Sequence, residues 1–174
     1  MNVFKFKMEL PNRKPTRLKN YNYGAEGAYF ITICTHNRRN ILSNIVREGL
    51  CALPTIKLTP IGEIVENSIK YINSIYNNTT IEKYVIMPNH IHIIIKIKYN
   101  SNEFLNQTGG HEDPPLQVYN IIGRFKSFTT HKYGDILWQC SFHDHIVRGE
   151  KDYIKICEYI DNNPAKWKED KFYV

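Results

Sequence analysis

Three stretches of the chain carry the apolar pattern of β-strands. The first spans residues 28–35, and the other two, at 81–87 and 90–98, flank the dipeptide Pro88-Asn89. Such a dipeptide favours a turn, so the second and third strands are predicted to pair antiparallel. Shorter strands are predicted at 56–58, 136–138 and 141–147.

Three longer segments place apolar residues three or four positions apart, as the buried face of a helix does. Thr59-Pro60 opens the first segment, with threonine as the cap and proline at the first helical position, and Asn77-Asn78 closes it. The second segment runs over 116–133. The third covers 150–162 and stops before Pro164, because proline disfavours helical geometry in the residue that precedes it.

The order strand, helix, strand, strand, helix, strand, helix predicts an α+β fold, a ferredoxin-like sandwich with a central antiparallel sheet. One sheet face would pack on the first two helices. Because side chains alternate along a strand, His90 and His92 share the opposite face, roughly 7 Å apart, while Ile91 points into the core. The third helix must then cover the histidine face or come from a partner chain.

The chain is most naturally one domain over residues 1–174, with an irregular basic arm at 1–24. No stretch has the length of an uncharged membrane span, so no membrane partner is expected. The first seven residues lack the apolar core of a signal peptide. The four cysteines show no C-x-x-C spacing, which favours a reducing, cytoplasmic setting.

A formal net charge of +6 favours an anionic partner, with nucleic acid first. Tyr21 and Tyr23 follow the basic arm, and aromatic rings beside cations suit single-stranded nucleic acid. Many basic proteins bind no nucleic acid, so charge alone does not decide. The candidate DNA contacts are Arg13, Lys14 and Arg17 in the arm, Arg38 after the first strand, and Arg124 and Lys126 on the second helix.

The histidine pair and the third helix together offer a specific chemistry. Two adjacent imidazoles can hold one divalent cation. Tyr159 and Asn163 are four residues apart, so they lie on one edge of the third helix. A tyrosine can attack a phosphodiester as the nucleophile while a metal polarises the phosphate. Asn163 would add an oxygen ligand or orient the phosphate.

Plainer interpretations exist for each of these residues. His90 and His92 fit a pair of half-exposed strand histidines, and any single tyrosine is more often a packing residue than a nucleophile. Tyr153 lies on the apolar stripe of the third helix and is assigned to packing. His143-Asp144-His145 is a rival pair on one strand face, but its central residue is charged rather than apolar. His145 is interpreted as lining the site, and Lys96 shares the face of His90 and His92 within reach of a DNA backbone.

Several segments, taken together, resemble the IS200-like tyrosine transposases, specifically the REP-associated branch of the HUH endonucleases. The matching segments are 27–38, 58–62, 84–92, 123–127, 138–145 and 159–164. The resemblance implies that His90 and His92 bind the metal, that Tyr159 is the nucleophile and that Asn163 is a third metal-proximal position. Residues 99–115 look like an insertion with no counterpart, so no role is inferred for them.

The resemblance also implies the reaction and its partners. It implies a single-stranded DNA endonuclease and strand transferase that uses Mg²⁺ or Mn²⁺ beside a DNA hairpin, through a 5′-phosphotyrosine. Two alternatives stay open: a domesticated hairpin-binding protein without cleavage, and a metal phosphoesterase that activates water. IS200-type relatives form dimers that share active sites in trans, whereas REP-associated relatives can act as monomers, and a monomer is favoured over a homodimer here.

Overall fold

The computed structural model describes residues 26–49, 52–98 and 118–174. The elements in these ranges are, in chain order, β1 Gly27–Cys34, β2 Ser43–Val46, β3 Thr55–Leu58, α1 Pro60–Ile75, β4 Thr79–Ile86, β5 His90–Ile97, α2 Val118–Tyr133, β6 His143–Ile146 and α3 Glu150–Asn162. Short 3-10 helices at His36–Arg38 and Trp167–Glu169 follow β1 and α3. The basic arm, with Arg13, Lys14 and Arg17, and the 99–115 segment lie outside the described residues.

The main sheet has the strand order β4-β5-β1-β6, and every pair of neighbours is antiparallel. Helix α1 precedes β4 and α2 connects β5 to β6, so each half of the sheet has its own crossover helix. This is the ferredoxin-like arrangement, and the predicted α+β fold with a central antiparallel sheet is confirmed. The β4–β5 turn at Pro88-Asn89 brings His90 opposite Cys34 and His92 opposite Thr32.

Strand β5 is buried on both of its faces. Ile91, Ile93 and Ile95 pack with residues of α1 and α2 in the main core. Ile94 lies on the other face, in a second cluster with Ile156 and Ile160 of α3. A strand that is covered on both sides has apolar residues at successive positions. This explains why apolar and polar residues do not alternate at Ile93, Ile94 and Ile95. Helix α3 therefore covers the histidine face of its own sheet.

The start of α1 is fixed by a cap and by a close backbone approach. The Thr59 hydroxyl accepts a hydrogen bond from the Gly62 amide at 3.1 Å, as the sequence predicts for a capping threonine. A Cβ atom on Gly62 would lie 2.0 Å from the carbonyl oxygen of Leu42. Only glycine fits there, and this contact sets the distance between α1 and the segment that precedes β2.

One strand was not predicted, and one predicted strand is wrong. Ser43–Val46 forms β2 and pairs with β3 in a separate two-stranded sheet, although its polar start, Ser43-Asn44, gives no strand signal. The predicted strand at 136–138 contributes only an isolated bridge between Thr35 and Trp138. Within the described ranges, none of the helices is both long enough and apolar enough to cross a bilayer.

Candidate functional site

His90 and His92 open β5 and lie side by side under α3. Their relative exposures are 0% and 1%, and their Nε2 atoms are 3.1 Å apart. The other ring nitrogens are held by neighbouring side chains: His90 Nδ1 lies 2.9 Å from Asn89 Oδ1, and His92 Nδ1 lies 2.8 Å from Thr32 Oγ1. Both rings are thus fixed with their Nε2 atoms converging on one point.

The hydrogen bonds of Asn89 set the tautomer of His90. Its Nδ2 donates to the Phe172 carbonyl at 2.8 Å, so its Oδ1 acts as the acceptor for His90 Nδ1–H. His90 Nε2 then presents a lone pair towards His92. Burial, with smaller effects from Lys171 and Arg38, lowers the pKa of His90 to about 3.

This geometry fits a divalent cation. Burial, and then the neighbouring His90, also hold the pKa of His92 well below its ordinary value, so both imidazoles are neutral, as metal ligands must be. Two ligand bonds of about 2.1 Å at a right angle separate the ligand atoms by about 3.0 Å. The observed Nε2–Nε2 distance is 3.1 Å. Metal-binding histidines are also commonly oriented through their second nitrogen, as both are here.

Tyr159 reaches the histidine pair from α3 of the same chain. Its hydroxyl lies 3.2 Å from His92 Nε2, and it donates to Asp170 Oδ2 at 3.2 Å. Ile156 and Ile160 anchor α3 on the sheet, which leaves Tyr159 on the adjacent edge of the helix with 39% exposure. Burial, and then the negative charge of Asp170, raise the pKa of Tyr159 to about 12. The phenol therefore needs help to ionise.

Asn163 is buried next to this phenol. It is 2% exposed at the end of α3, and its Nδ2 donates to Asp170 Oδ2 at 2.7 Å. Its Oδ1 finds no hydrogen-bond partner among the described residues. Buried acceptors are normally satisfied, so this oxygen has spare capacity for a cation or a donor.

Asp170 is a site residue that the sequence reasoning missed. One of its carboxylate oxygens and one nitrogen each from His90 and His92 all lie within 4.8 Å of one another. Asp170 follows a 3-10 helix beyond α3, and no spacing links it to the histidines along the chain. The available signal was weak: two adjacent carboxylates, Glu169 and Asp170, between the aromatic residues Trp167 and Phe172.

The segment after α3 covers the imidazoles. The Phe172 ring lies 4.7 Å from the His90 ring and 5.9 Å from the His92 ring, measured between centroids. Trp167 lies 5.8 Å from His90. Arg38 holds the segment, because its guanidinium donates to the Lys171 carbonyl at 3.3 Å and lies over the Phe172 ring. Arg38, predicted as a DNA contact, is thus placed beside the site.

A cleft of about 570 Å³ lies between α3 and the segment that follows it. Tyr159 forms part of its wall, together with Lys155, Lys166 and Lys171. Sequence analysis did not single out these lysines, because they are interspersed with acidic residues. Three carboxylates lie on the same wall, so the lysines offer local countercharge to a phosphate rather than a uniformly basic cleft.

Two residues predicted to line the site lie at its margin. His145 sits on the histidine face beside Phe30, which separates it from His92, and its Nε2 bonds Asp152 Oδ2 at 2.9 Å. Lys96 lies towards the far end of β5, and its ammonium pairs with Glu82 at 3.3 Å. Both share the predicted sheet face, but their polar groups are engaged away from the imidazoles.

The two predicted cations of α2 lie across the sheet from the histidines. Arg124 donates to the Tyr76 hydroxyl at 3.2 Å. The Lys126 ammonium donates to the carbonyls of Gln139 and Cys140 at 2.6 and 2.9 Å, and burial lowers its pKa. These donors tie α2 to the segment before β6, and the role of Lys126 as a phosphate contact stays a prediction.

Tyr153, assigned to packing, lies against the second apolar cluster. Its hydroxyl donates to Glu82 Oε2 at 2.9 Å, and it makes this bond well away from the histidine pair. Of the two tyrosines on α3, Tyr159 is the one whose hydroxyl meets the imidazoles.

Comparison with known proteins finds a matching family, a related sequence and a similar fold. The family described as "Transposase IS200 like" matches residues 25–163. An uncharacterized protein of Haemophilus influenzae is 34% identical over 189 residues, with 98% of each chain covered. A solved REP-associated tyrosine transposase bound to a REP hairpin is similar at a TM-score of 0.60 and 23% identity, covering 89% of this chain and 77% of that one. At that identity the structural likeness shows the fold.

Proposed function

The chain belongs to the IS200-like transposase family, and from that premise we propose that it nicks and rejoins single-stranded DNA with Tyr159 as the nucleophile. The observation that carries the proposal is the 3.2 Å distance between the Tyr159 hydroxyl and His92 Nε2 within one chain. A phenol poised beside two buried, neutral imidazoles is equipped for metal-assisted attack on a phosphodiester.

In the proposed reaction, the phenolic oxygen of Tyr159 attacks the scissile phosphorus and loses its proton. The bond from phosphorus to the 3′ oxygen breaks, and that oxygen leaves as a 3′-hydroxyl after taking up a proton. The 5′ phosphate stays esterified to Tyr159. Because one phosphoester replaces another, the bond energy is kept, and a second 3′-hydroxyl can reverse the step and join a different strand.

His90 and His92 would hold the divalent cation, Mg²⁺ or Mn²⁺, in this reaction. The cation supplies charge that polarises the phosphate and favours the phenolate. The pKa of Tyr159, about 12, shows why such help is needed near neutral pH. Asn163 Nδ2 donates to Asp170 Oδ2 at 2.7 Å, and this bond orients the carboxylate that accepts from the Tyr159 hydroxyl.

The proposed substrate is single-stranded DNA next to a hairpin. The cleft that Tyr159 lines carries three lysines among three carboxylates, and the net charge of the chain is +6. A structurally similar transposase was solved with a REP hairpin bound, which supports the same class of substrate here. We extend the proposal to a single catalytic domain over 1–174, whose basic arm adds phosphate contacts through Arg13, Lys14 and Arg17.

The test is an incubation of the protein with labelled hairpin DNA and Mn²⁺, followed by denaturing electrophoresis. The wild type should yield a covalent protein–DNA adduct. Tyr159→Phe should abolish the adduct while largely sparing DNA binding, measured by mobility shift. Tyr153→Phe is the matched control on the same helix and should keep the adduct.

The remaining outcomes separate the alternatives. An adduct that persists in Tyr159→Phe refutes the nucleophile assignment. Free cleaved product without an adduct favours a phosphoesterase that uses activated water. Hairpin binding with no cleavage in any variant favours a domesticated DNA-binding protein.

A further inference from the structure

We infer that Asp170 is the third protein ligand of the divalent cation held by His90 and His92, and that Asn163 positions this carboxylate. The inference deepens the proposed function and rests on it for the presence of a cation. One carboxylate oxygen and two imidazole nitrogens lie within 4.8 Å of one another. A cation between them needs only small side-chain shifts to meet all three.

The chemistry of the donors favours the carboxylate over the amide. Two neutral imidazoles bring no negative charge, whereas Mg²⁺ and Mn²⁺ prefer hard, anionic oxygen ligands. The cations of Arg38 and Lys171 lie over the Phe172 ring, at 5.5 and 4.8 Å, and that ring packs on His90. A divalent ion beside two such cations is repelled unless an anion joins it, and an amide supplies none.

Asn163 is already committed to holding Asp170. Its Nδ2 donates to Asp170 Oδ2 at 2.7 Å, and Oδ2 also accepts from the Tyr159 hydroxyl. The Asn163 oxygen is the competing candidate ligand, because it is buried and without a hydrogen-bond partner among the described residues. Asp170 accepts three hydrogen bonds, from Asn163, Tyr159 and the Phe172 amide, and its carboxylate keeps a further lone pair and the negative charge that an amide lacks.

Asp170 is held in place by the fold rather than by one contact. Its Oδ1 accepts from the Phe172 amide at 2.7 Å, and its own amide donates to the Trp167 carbonyl at 3.1 Å. Both aromatic rings pack on His90, and Asn89 anchors the Phe172 carbonyl. The same tail that covers the imidazoles therefore delivers the carboxylate to them.

The test is Mn²⁺ binding to the full-length protein, measured by calorimetry and by the electron paramagnetic resonance of free Mn²⁺. Asp170→Asn should weaken binding more than about tenfold, since even the loss of a group that orients a ligand commonly costs that much. Glu169→Gln removes the same charge from the neighbouring, exposed position and should bind Mn²⁺ as the wild type does. His90→Ala gives the reference for a lost ligand.

A second variant tests ligation directly. Asp170→Cys would place a thiolate at the same position, and thiolates favour softer metals. This variant should bind Cd²⁺ more tightly than the wild type and show a thiolate-to-metal charge-transfer band above the wild-type baseline. Absence of any gain in the band or in Cd²⁺ affinity, in a variant with a native circular dichroism spectrum, would show that Asp170 does not touch the metal.

The inference and the proposed function can fail separately. Wild-type Mn²⁺ affinity in Asp170→Asn, together with its loss in Asn163→Ala, would make Asn163 the ligand and overturn the inference, while adduct formation by Tyr159 could still hold. Conversely, weakened Mn²⁺ binding in Asp170→Asn with no adduct in any variant would sustain the metal site and reject the transesterification.

Discussion

At the scale of single residues, the site depends on two histidines kept neutral inside the protein. His90 is fully buried, and its ordinary pKa of 6.5 is lowered to about 3. Its Nδ1–H donates a hydrogen bond to Asn89 Oδ1. A second proton could therefore only bind to Nε2, the nitrogen that faces His92. Charging this ring in the folded state is therefore opposed by burial and by the positive groups around it.

This burial predicts how the stability of the metal-free protein depends on pH. The unfolded chain protonates His90 near pH 6.5, whereas the folded chain resists protonation down to about pH 3. Between these values the unfolded state binds more protons, so the free energy of unfolding falls as the pH falls, by up to about 1.4 kcal/mol per pH unit for one such histidine.

Urea unfolding of the chelator-treated protein between pH 7 and pH 4 measures this slope. His90→Gln should reduce it and leave the part that comes from His92, whose pKa is also lowered by burial. His131→Gln, which changes an exposed histidine of α2, should leave it unchanged. An equal slope in the wild type and in His90→Gln would show that His90 is not the group that titrates.

The residues of the site differ in how far the sequence could reveal them. His90 and His92 follow from the alternation of a strand, and Tyr159 with Asn163 from the spacing of a helix. Asp170 does not follow from any local period, because its position depends on a tail that folds back over the sheet. Its partners are set by packing between residues distant in sequence, which no short pattern encodes.

At the scale of elements, the sequence predicted best those helices and strands whose limits depend on local features such as a cap or an apolar period. The capping Thr59 marked the start of α1, and the apolar stripe together with Pro164 marked the extent of α3. Strand β2 was missed because its four residues begin with Ser43-Asn44, and its pairing with β3 rather than its own composition makes it a strand.

Replacing each of two helical glycines by alanine should change the free energy of unfolding in opposite directions. Gly62→Ala should destabilise the protein by about 1–3 kcal/mol, because its Cβ would meet the Leu42 carbonyl oxygen at 2.0 Å and force α1 away. Gly123→Ala on α2 meets no atom of the described structure within 4 Å. Alanine is the better helix former, so this variant should be stabilised by up to about 1 kcal/mol.

Chemical denaturation of both variants against the wild type measures the two changes. A Gly62→Ala protein as stable as the wild type would mean that α1 does not approach Leu42 so closely. The Gly123→Ala variant serves as its control, because it adds the same methyl group to a helix where space is open.

At the scale of the whole molecule, the sheet separates two roles. The face that carries Ile91 and Ile93 packs on α1 and α2 and holds the main core. The other face carries the histidines, and α3 and the tail close over it. The order of elements along the chain predicted this division, since only the last helix was left to cover the second face.

Because α3 folds back over its own sheet, one chain brings together every group of the proposed site. The Tyr159 hydroxyl lies 3.2 Å from His92 of the same chain, so we propose a monomer that acts in cis. A mixture of Tyr159→Phe with His92→Ala should then form no adduct on hairpin DNA in Mn²⁺, because neither chain holds both groups. An enzyme that shares active sites in trans would regain adduct on mixing, as the phenol of one variant met the imidazoles of the other. Wild type diluted with either variant should lose activity only in proportion to its share, whereas a steeper loss would point to an obligate dimer.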